Sequence, residues 1–160
     1  MHCQQCGGTT DEYLADGRLR PVCQMCGAVT YLDPKLAVAV VVQQENKILL
    51  GRRGPSARAA GKWSFPAGFV ERGEVVEDAA VREAMEETGL TIALGSLIAL
   101  LSSPGEIVVL AVYTGTILDG VETAGDDLTE LGWFPPDALP ELAFPHDRAI
   151  IDRLFEAHTP

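Results

Sequence analysis

Apolar and polar positions follow two regimes along the chain. Residues 1–33 show little apolar periodicity and several turn formers. From residue 36 the pattern is that of a folded core. Residues 36–42 (Leu-Ala-Val-Ala-Val-Val-Val) form an unbroken apolar run that predicts a buried strand. A turn at 43–46 and a second strand at 47–52 complete a hairpin. A short strand at 63–65 is ended by Pro66, between loops at 54–61 and 67–73. Residues 75–88 read as a helix, with Gly89 placed to close it in a left-handed conformation. Strands follow at 90–101, at 106–118 (the long β-branched run) and at 130–134, with a turn at 102–105 and an acidic loop at 119–127. A terminal helix at 144–157 carries the stripe Ile150, Ile151, Leu154 and Phe155. Antiparallel strands with two helices predict an α/β sandwich around a mixed sheet over residues 34–160, preceded by a separate module in 1–33.

Composition narrows the possibilities. At 160 residues the chain suits one domain plus a small appendage, and 47% hydrophobic with 22% charged residues is ordinary for a globular protein. The formal charge of −11 argues against broad electrostatic binding to nucleic acid or to an anionic membrane surface, and suits a collector of divalent cations. The apolar run at 36–42 is far too short to span a bilayer, and the first 20 residues lack a signal pattern, so a cytoplasmic protein is expected.

Net charge conceals three blocks. Residues 46–62 carry five basic side chains (Lys47, Arg52, Arg53, Arg58, Lys62) and no acid; 71–90 carry seven acids and two bases; 119–147 carry eight acids and no Lys or Arg. A basic stretch beside an acidic one is what a metal–polyphosphate site needs, because phosphate oxygens attract Arg and Lys while the metal attracts carboxylates. Solvated surface charge is the plainer alternative for any one of these residues.

The four cysteines fall as Cys3-x-x-Cys6 and Cys23-x-x-Cys26, with 16 residues between the pairs and a glycine, Gly7 or Gly27, after each. Two-residue gaps let both thiolates of a pair face one ion across a tight knuckle, and two knuckles complete a tetrahedron. The spacing points to structural Zn²⁺. Two disulfides or free buried thiols are the alternatives, and without a secretory signal disulfides are not expected to persist.

The predicted helix at 75–88 places Glu83, Glu86 and Glu87 within an arc of about 100°, with Ala80, Val81, Ala84 and Met85 on the neighbouring arc, expected to pack on the sheet. Three like charges at these spacings repel, and a hard divalent cation such as Mg²⁺ or Mn²⁺ would neutralise them.

The segment around this helix resembles the signature of the Nudix hydrolases: Gly68, Glu74, Arg82, Glu83, Glu86, Glu87, Gly89 and Leu90 fill its defined positions, with Ala84 at a position usually held by a larger aliphatic. Residues 66–69 are similar to the loop before that family's helix, and 130–134 and 139–144 to its C-terminal strand and helix entry. Cysteine pairs ahead of such a domain resemble the zinc-ribbon branch, which includes NADH, FAD and ADP-ribose pyrophosphatases. The resemblance implies a Nudix α/β/α sandwich with a mixed β-sheet, an N-terminal zinc ribbon in 1–33, and Mg²⁺- or Mn²⁺-dependent attack of water on a nucleoside diphosphate derivative. It implies Glu83 and Glu87 as main metal ligands, a share for Glu86 and the Gly68 carbonyl, and a ligating or orienting role for Glu74. Arg82 would pair with a carboxylate such as Glu74 and hold the loop. The general base stays open among Glu83, Glu86, Glu106, Glu122, Asp126 and Glu130.

Substrate identity is set outside that signature. The stretch that marks NADH-cleaving members is absent from 102–106, and the Leu49–Arg53 segment only loosely echoes coenzyme A-type members. Pro104 lies 15 residues past Gly89, as in ADP-ribose-type members, whereas Tyr113, 24 past it, reads as a strand residue and not as the tyrosine of the dinucleoside polyphosphate type. Arg52, Arg53, Arg58 and Lys62 are candidate phosphate contacts, and Trp63, Phe65, Phe69 and Trp133 are candidates to stack a base or to join the core. His2 and His158 take no role, and His146 reads as a surface residue. The expected activity is pyrophosphate hydrolysis of ADP-ribose, releasing AMP. FAD or NADH is the alternative substrate, and a non-catalytic nucleotide sensor is the alternative of another class. An RNA-end pyrophosphatase is disfavoured by the few basic residues of the ribbon (Arg18, Arg20). No nucleic-acid or membrane partner is expected, and the resemblance suggests a homodimer.

Overall fold

A computed structural model describes residues 1–156, so the predicted end of the last helix at Ala157 and the unassigned His158 lie outside the described residues. The chain separates into two compact units, residues 1–34 and 35–160.

The first unit is built on a hairpin of β1 (Thr10–Ala15) and β2 (Arg18–Cys23), two strands the periodicity did not predict. The turn between them is Asp16-Gly17, both left-handed (φ 52° and 76°). Two consecutive left-handed residues give the twist that matches a two-residue hairpin, so Asp-Gly was the local signal. The two cysteine knuckles are alike: the Gly7 N–H donates to the Cys3 carbonyl at 2.9 Å and the Gly27 N–H to the Cys23 carbonyl at 3.0 Å.

The second unit is organised by β3 (Lys35–Gln44). It forms a hairpin with β4 (Lys47–Arg53) through the left-handed pair Glu45-Asn46. The other elements are β5 (Trp63–Ser64), β6 (Ala67–Phe69), α1 (Val76–Thr88), β7 (Leu90–Leu101), β8 (Val108–Gly120), β9 (Leu128–Phe134) and α2 (Pro145–Glu156). Among the described residues they make a seven-stranded mixed sheet of order β5-β4-β3-β8-β7, with β6 on β3 and β9 on β4. The β3–β8 pair is parallel and the other pairs are antiparallel.

The unbroken apolar run follows from cover on both faces of β3. Val38, Val40 and Val42 pack with Ala79, Ala80 and Ala84 of α1 on one face. Ala39 and Val41 pack with Phe65, Ile150 and Ile151 on the other, where Leu154 and Phe155 join from α2. The result is the expected α/β/α sandwich. Three positions differ from expectation. Residues 67–69 are a strand and not a loop: β3–β4 pairing stops at Gln43–Ile48, which leaves one edge of residues 37–39 free, and β6 satisfies it. Met85 is exposed, and Ala79 takes the place expected for it against the sheet. Phe65 is enclosed in the core at 2% exposure, which leaves it no face for a base. No helix among the described residues is long and apolar enough to cross a membrane.

Candidate functional site

The helix α1 carries its chemistry in the middle of its buried stripe. Counting from Ala79 at 100° per residue, Glu83 lies about 40° round the wheel and Glu87 about 80°, with Ala80 next at about 100°. Two carboxylates therefore share a face with three alanines and are themselves buried, Glu83 at 8% exposure and Glu87 at 3%. Glu86 points to solvent.

Each buried carboxylate is met by the β5–β6 segment. A Glu87 oxygen accepts the Ala67 N–H at 2.8 Å. Glu83 lies against Gly68 so closely that a Cβ there would fall 2.0 Å from its carboxyl carbon. Gly68 is thus required by contact and not by its backbone angles. Burial pushes both carboxyls up, Glu87 to about 8, and the charge of Asp126 raises both further.

Arg82 neutralises much of the remaining acidity. Its Nε and Nη2 donate to the two oxygens of Glu74 at 2.7 and 2.9 Å, its Nη1 donates to Glu83 at 2.7 Å and to Glu86 at 3.0 Å, and Nη2 also reaches the Phe69 carbonyl at 3.1 Å. Glu74 further accepts the Glu71 N–H at 2.9 Å. The Arg82 hydrogen bonds, then the Glu71 N–H, hold the Glu74 carboxyl down at about 2. Both oxygens of Glu74 are engaged by Arg82 and one also by the Glu71 N–H, which makes it a brace between the loop and α1.

The acidic loop after β8 is strapped to the end of α1. Thr123 N–H donates to the Thr88 carbonyl at 2.9 Å and Gly125 N–H to the Glu87 carbonyl at 3.1 Å, so the loop satisfies carbonyls the helix end leaves free. Gly89 closes the helix with φ 70° and an N–H bond to the Met85 carbonyl. This strap carries Asp126, whose charge acts on both Glu83 and Glu87. Of the other candidate bases, Glu83 and Glu86 are engaged by Arg82, Glu130 pairs with Arg52 at 3.4 Å, Glu122 accepts the Trp133 indole N–H at 2.9 Å, and Glu106 is exposed in the β7–β8 turn.

Of the candidate substrate contacts, Arg53 is the one held at this site. Its Nε donates to the Arg58 carbonyl at 2.6 Å, its Nη1 to Ser64 Oγ at 3.3 Å, and its charge lowers the Glu87 carboxyl. Arg58 is exposed. Trp63 is half-buried, edge-on to Phe134 at 4.8 Å between ring centroids. Lys62 pairs with Glu141 at 2.8 Å, Phe69 is half-exposed under the Lys35 ammonium, and Trp133 packs against the α1-side core. Periodicity did not single out Ser64 or Asp147. Ser64 is 1% exposed and receives Arg53; Asp147 is 2% exposed in the first turn of α2. Proline at the first helical position with an acid two residues on was the available signal for Asp147.

Among the described residues, one group of three or more metal-ligating atoms is already drawn together: the sulfurs of Cys3, Cys6, Cys23 and Cys26, all within 4.8 Å of one another. Pairs stand at 3.4 to 3.7 Å. Sulfurs bound tetrahedrally at about 2.3 Å from one ion stand roughly 3.8 Å apart, so the group fits a tetrahedral metal. The carboxylates are not gathered in that way, because Arg82 holds Glu83 and Glu86 while Glu87 turns to Ala67. Their donor chemistry still fits a hard divalent cation, since two buried carboxylates on successive turns face the backbone of Ala67 and Gly68.

The NUDIX domain model matches residues 33–154, across the sheet, the carboxylate helix and most of α2. The chain belongs to the NUDIX family. Its relatives include the ADP-ribose pyrophosphatase of Methanocaldococcus jannaschii, 41% identical over 126 residues that cover 76% of this chain and 74% of the relative. They also include the NAD-capped RNA hydrolase NudC of Pseudomonas aeruginosa, 31% identical over 160 residues that cover 98% of this chain and 56% of the relative. The chain spans about half the length of the Pseudomonas and Vibrio NudC relatives it matches, and less of that from Photobacterium profundum. Among solved structures, a NUDIX hydrolase from Nitrosomonas europaea superposes with a TM-score of 0.90 at 30% identity, covering 98% of this chain and 91% of that one. This NUDIX chain is thus matched both in its sheet domain and in its cysteine-bearing unit.

Proposed function

We propose that this pyrophosphohydrolase of the NUDIX family acts on ADP-ribose, with water cleaving the pyrophosphate to give AMP and ribose 5-phosphate. The observation that carries the reading is the pair Glu83 and Glu87, buried on the signature helix against Gly68 and Ala67. The 41% identity to an ADP-ribose pyrophosphatase supports the substrate.

Glu83 and Glu87 would hold Mg²⁺ or Mn²⁺, with Glu86 and the Gly68 carbonyl contributing. Such a cation supplies Lewis-acid neutralisation of the phosphate charge. Arg82 holds Glu83 and Glu86 in place, and Glu74 fixes Arg82. Arg53 is the proposed phosphate contact, since its guanidinium is already bound in one orientation. Asp126 is the proposed proton acceptor for the attacking water, being the loop acid that both buried carboxylates feel. Replacing Asp126 by Asn should lower kcat by about 10²–10⁴-fold, the range for losing a general base. A kcat within threefold of wild type would assign the base elsewhere. The four cysteines are proposed to hold a structural Zn²⁺. A cytoplasmic homodimer completes the reading.

A second reading has its own support: the NudC relatives match through the cysteine unit as well as the sheet domain. It makes the 5′ end of NAD-capped RNA, or NADH itself, the substrate. Turnover of ADP-ribose, FAD, NADH and NAD-capped RNA, each assayed with Mg²⁺ and Mn²⁺, tests both readings. ADP-ribose cleaved with the highest kcat/KM supports the first, and the capped RNA or NADH so cleaved replaces it with the second.

A further inference from the structure

A second buried carboxylate, on the α2 side of the sheet, has no part in the reaction described so far. Asp147 is 2% exposed, and its Oδ2 has no hydrogen-bond partner. A cap for the start of α2 would use the Phe144 N–H and one oxygen, which leaves the other unexplained. A buried anion with a spare oxygen is costly unless a cation answers it.

Its surroundings lead back to Arg53. His146 Nε2 stands 3.4 Å from Asp147 Oδ1. The His146 ring is stacked on Phe144, with centroids 5.5 Å apart and planes within 3°. The Arg53 guanidinium lies over the other partner of that stack, 5.3 Å from the Phe144 centroid. The segment before α2 is fixed beside β5 by Trp63 N–H to the Glu141 carbonyl at 2.9 Å and Ala143 N–H to the Trp63 carbonyl at 2.7 Å. Arg53 is therefore held by the Arg58 carbonyl and Ser64 on one side and by Phe144 on the other, and Phe144 adjoins Asp147 through the His146 ring.

We infer that Asp147 and Phe144 are positioning residues for Arg53: the start of α2 holds the guanidinium aimed at the phosphates of a bound nucleoside diphosphate. The inference rests on the reading of Arg53 as a phosphate contact. A guanidinium stacked on an aromatic face loses little freedom on forming its fork of hydrogen bonds, so its supports set the affinity for the diphosphate.

The test is calorimetric binding of ADP with Mg²⁺ to the full chain and to Asp147→Asn, Arg53→Lys and the double variant. Asp147→Asn should weaken ADP binding about tenfold and leave the Mn²⁺ affinity within twofold. In the Arg53→Lys background it should add less than a twofold effect. Effects that multiply in the double variant, or ADP binding unchanged in Asp147→Asn, overturn the inference. Should Asp147→Asn fail to fold, Phe144→Leu carries the same cycle with the same expectations. A wild-type chain that binds ADP with this coupling but does not cleave ADP-ribose refutes the substrate and leaves the inference standing; one that binds no ADP overturns the inference.

Discussion

Glu83 and Glu87 sit where a helix facing a sheet would ordinarily place apolar residues, and the alanines around them leave the room they occupy. Gly68 completes the arrangement. Because its backbone is one that alanine can adopt, Gly68→Ala should change the site and spare the fold. Mn²⁺ affinity should fall at least tenfold as Glu83 is displaced, while the Tm stays within about 3 °C, under roughly 1 kcal/mol for a chain of this size. Unchanged Mn²⁺ affinity would remove Glu83 from the site. The same burial fixes a pH dependence. Unfolded, Glu87 and Asp147 ionise near 4.5 and 3.8; folded, burial holds them up at about 8 and about 7. Between these limits the folded chain binds more protons than the unfolded one, so stability falls as pH rises, by at most about 1.4 kcal/mol per pH unit per group. Glu74 works in the opposite sense: its contribution is present above 4.5 and lost as pH falls towards about 2. The Tm of metal-free protein should therefore decline from pH 5 to pH 8, and Mg²⁺ should reverse part of the decline; a flat or rising Tm would contradict the burial of these acids. The Glu83–Glu87 pair was legible because its spacing is one helical turn. The exposure of Met85 was not, because a wheel gives relative angles without saying which arc meets the sheet, and Phe65 stayed open between core and base stacking because a single aromatic before Pro66 has no period to decide it.

At the scale of elements, the site depends on how α1 ends. Gly89 adopts a left-handed conformation, and a Cβ there would stand 2.5 Å from the Val121 carbonyl oxygen of the acidic loop. Gly89→Ala should cost about 1–2 kcal/mol in helix termination alone, a fall in Tm of roughly 2–8 °C. It should also lower kcat by loosening the strap that carries Asp126. A variant with lowered Tm and wild-type kcat would show that the strap does not position the base. The helix, its glycine stop and the long strands could be read from periodicity and β-branching. The β6 strand could not, since three residues have no period and its partner edge exists only once β4 diverges from β3. The hairpin in the first unit is a different case, because Asp16-Gly17 was a sufficient local signal that lay outside any apolar alternation.

For the whole molecule, the three charge blocks take on partners. The basic block is partly spent on the last acidic block, through Arg52–Glu130 across the β4–β9 pair and Lys62–Glu141. Such exposed pairs contribute at most about 1 kcal/mol each. The middle block is braced by Arg82, so the repulsion that suggested a metal is partly relieved from within; burial of Glu83 and Glu87 is the better argument for a cation. Arg53 is the basic residue these pairings leave facing the carboxylate helix. In the other unit, Cys6→Ser combined with Cys26→Ser should reduce bound zinc from one equivalent to below 0.2 by elemental analysis, and retention of a full equivalent would refute the tetrahedral site. The central claim is that the buried pair on α1 drives pyrophosphate cleavage. The most direct measurement is AMP release from ADP-ribose with Mg²⁺ by the wild-type chain and by Glu83→Gln and Glu87→Gln. The prediction is AMP and ribose 5-phosphate in equal amounts from the wild type and at least a hundredfold lower kcat in either variant; no release from the wild type, or variants that turn over at the wild-type rate, would contradict it.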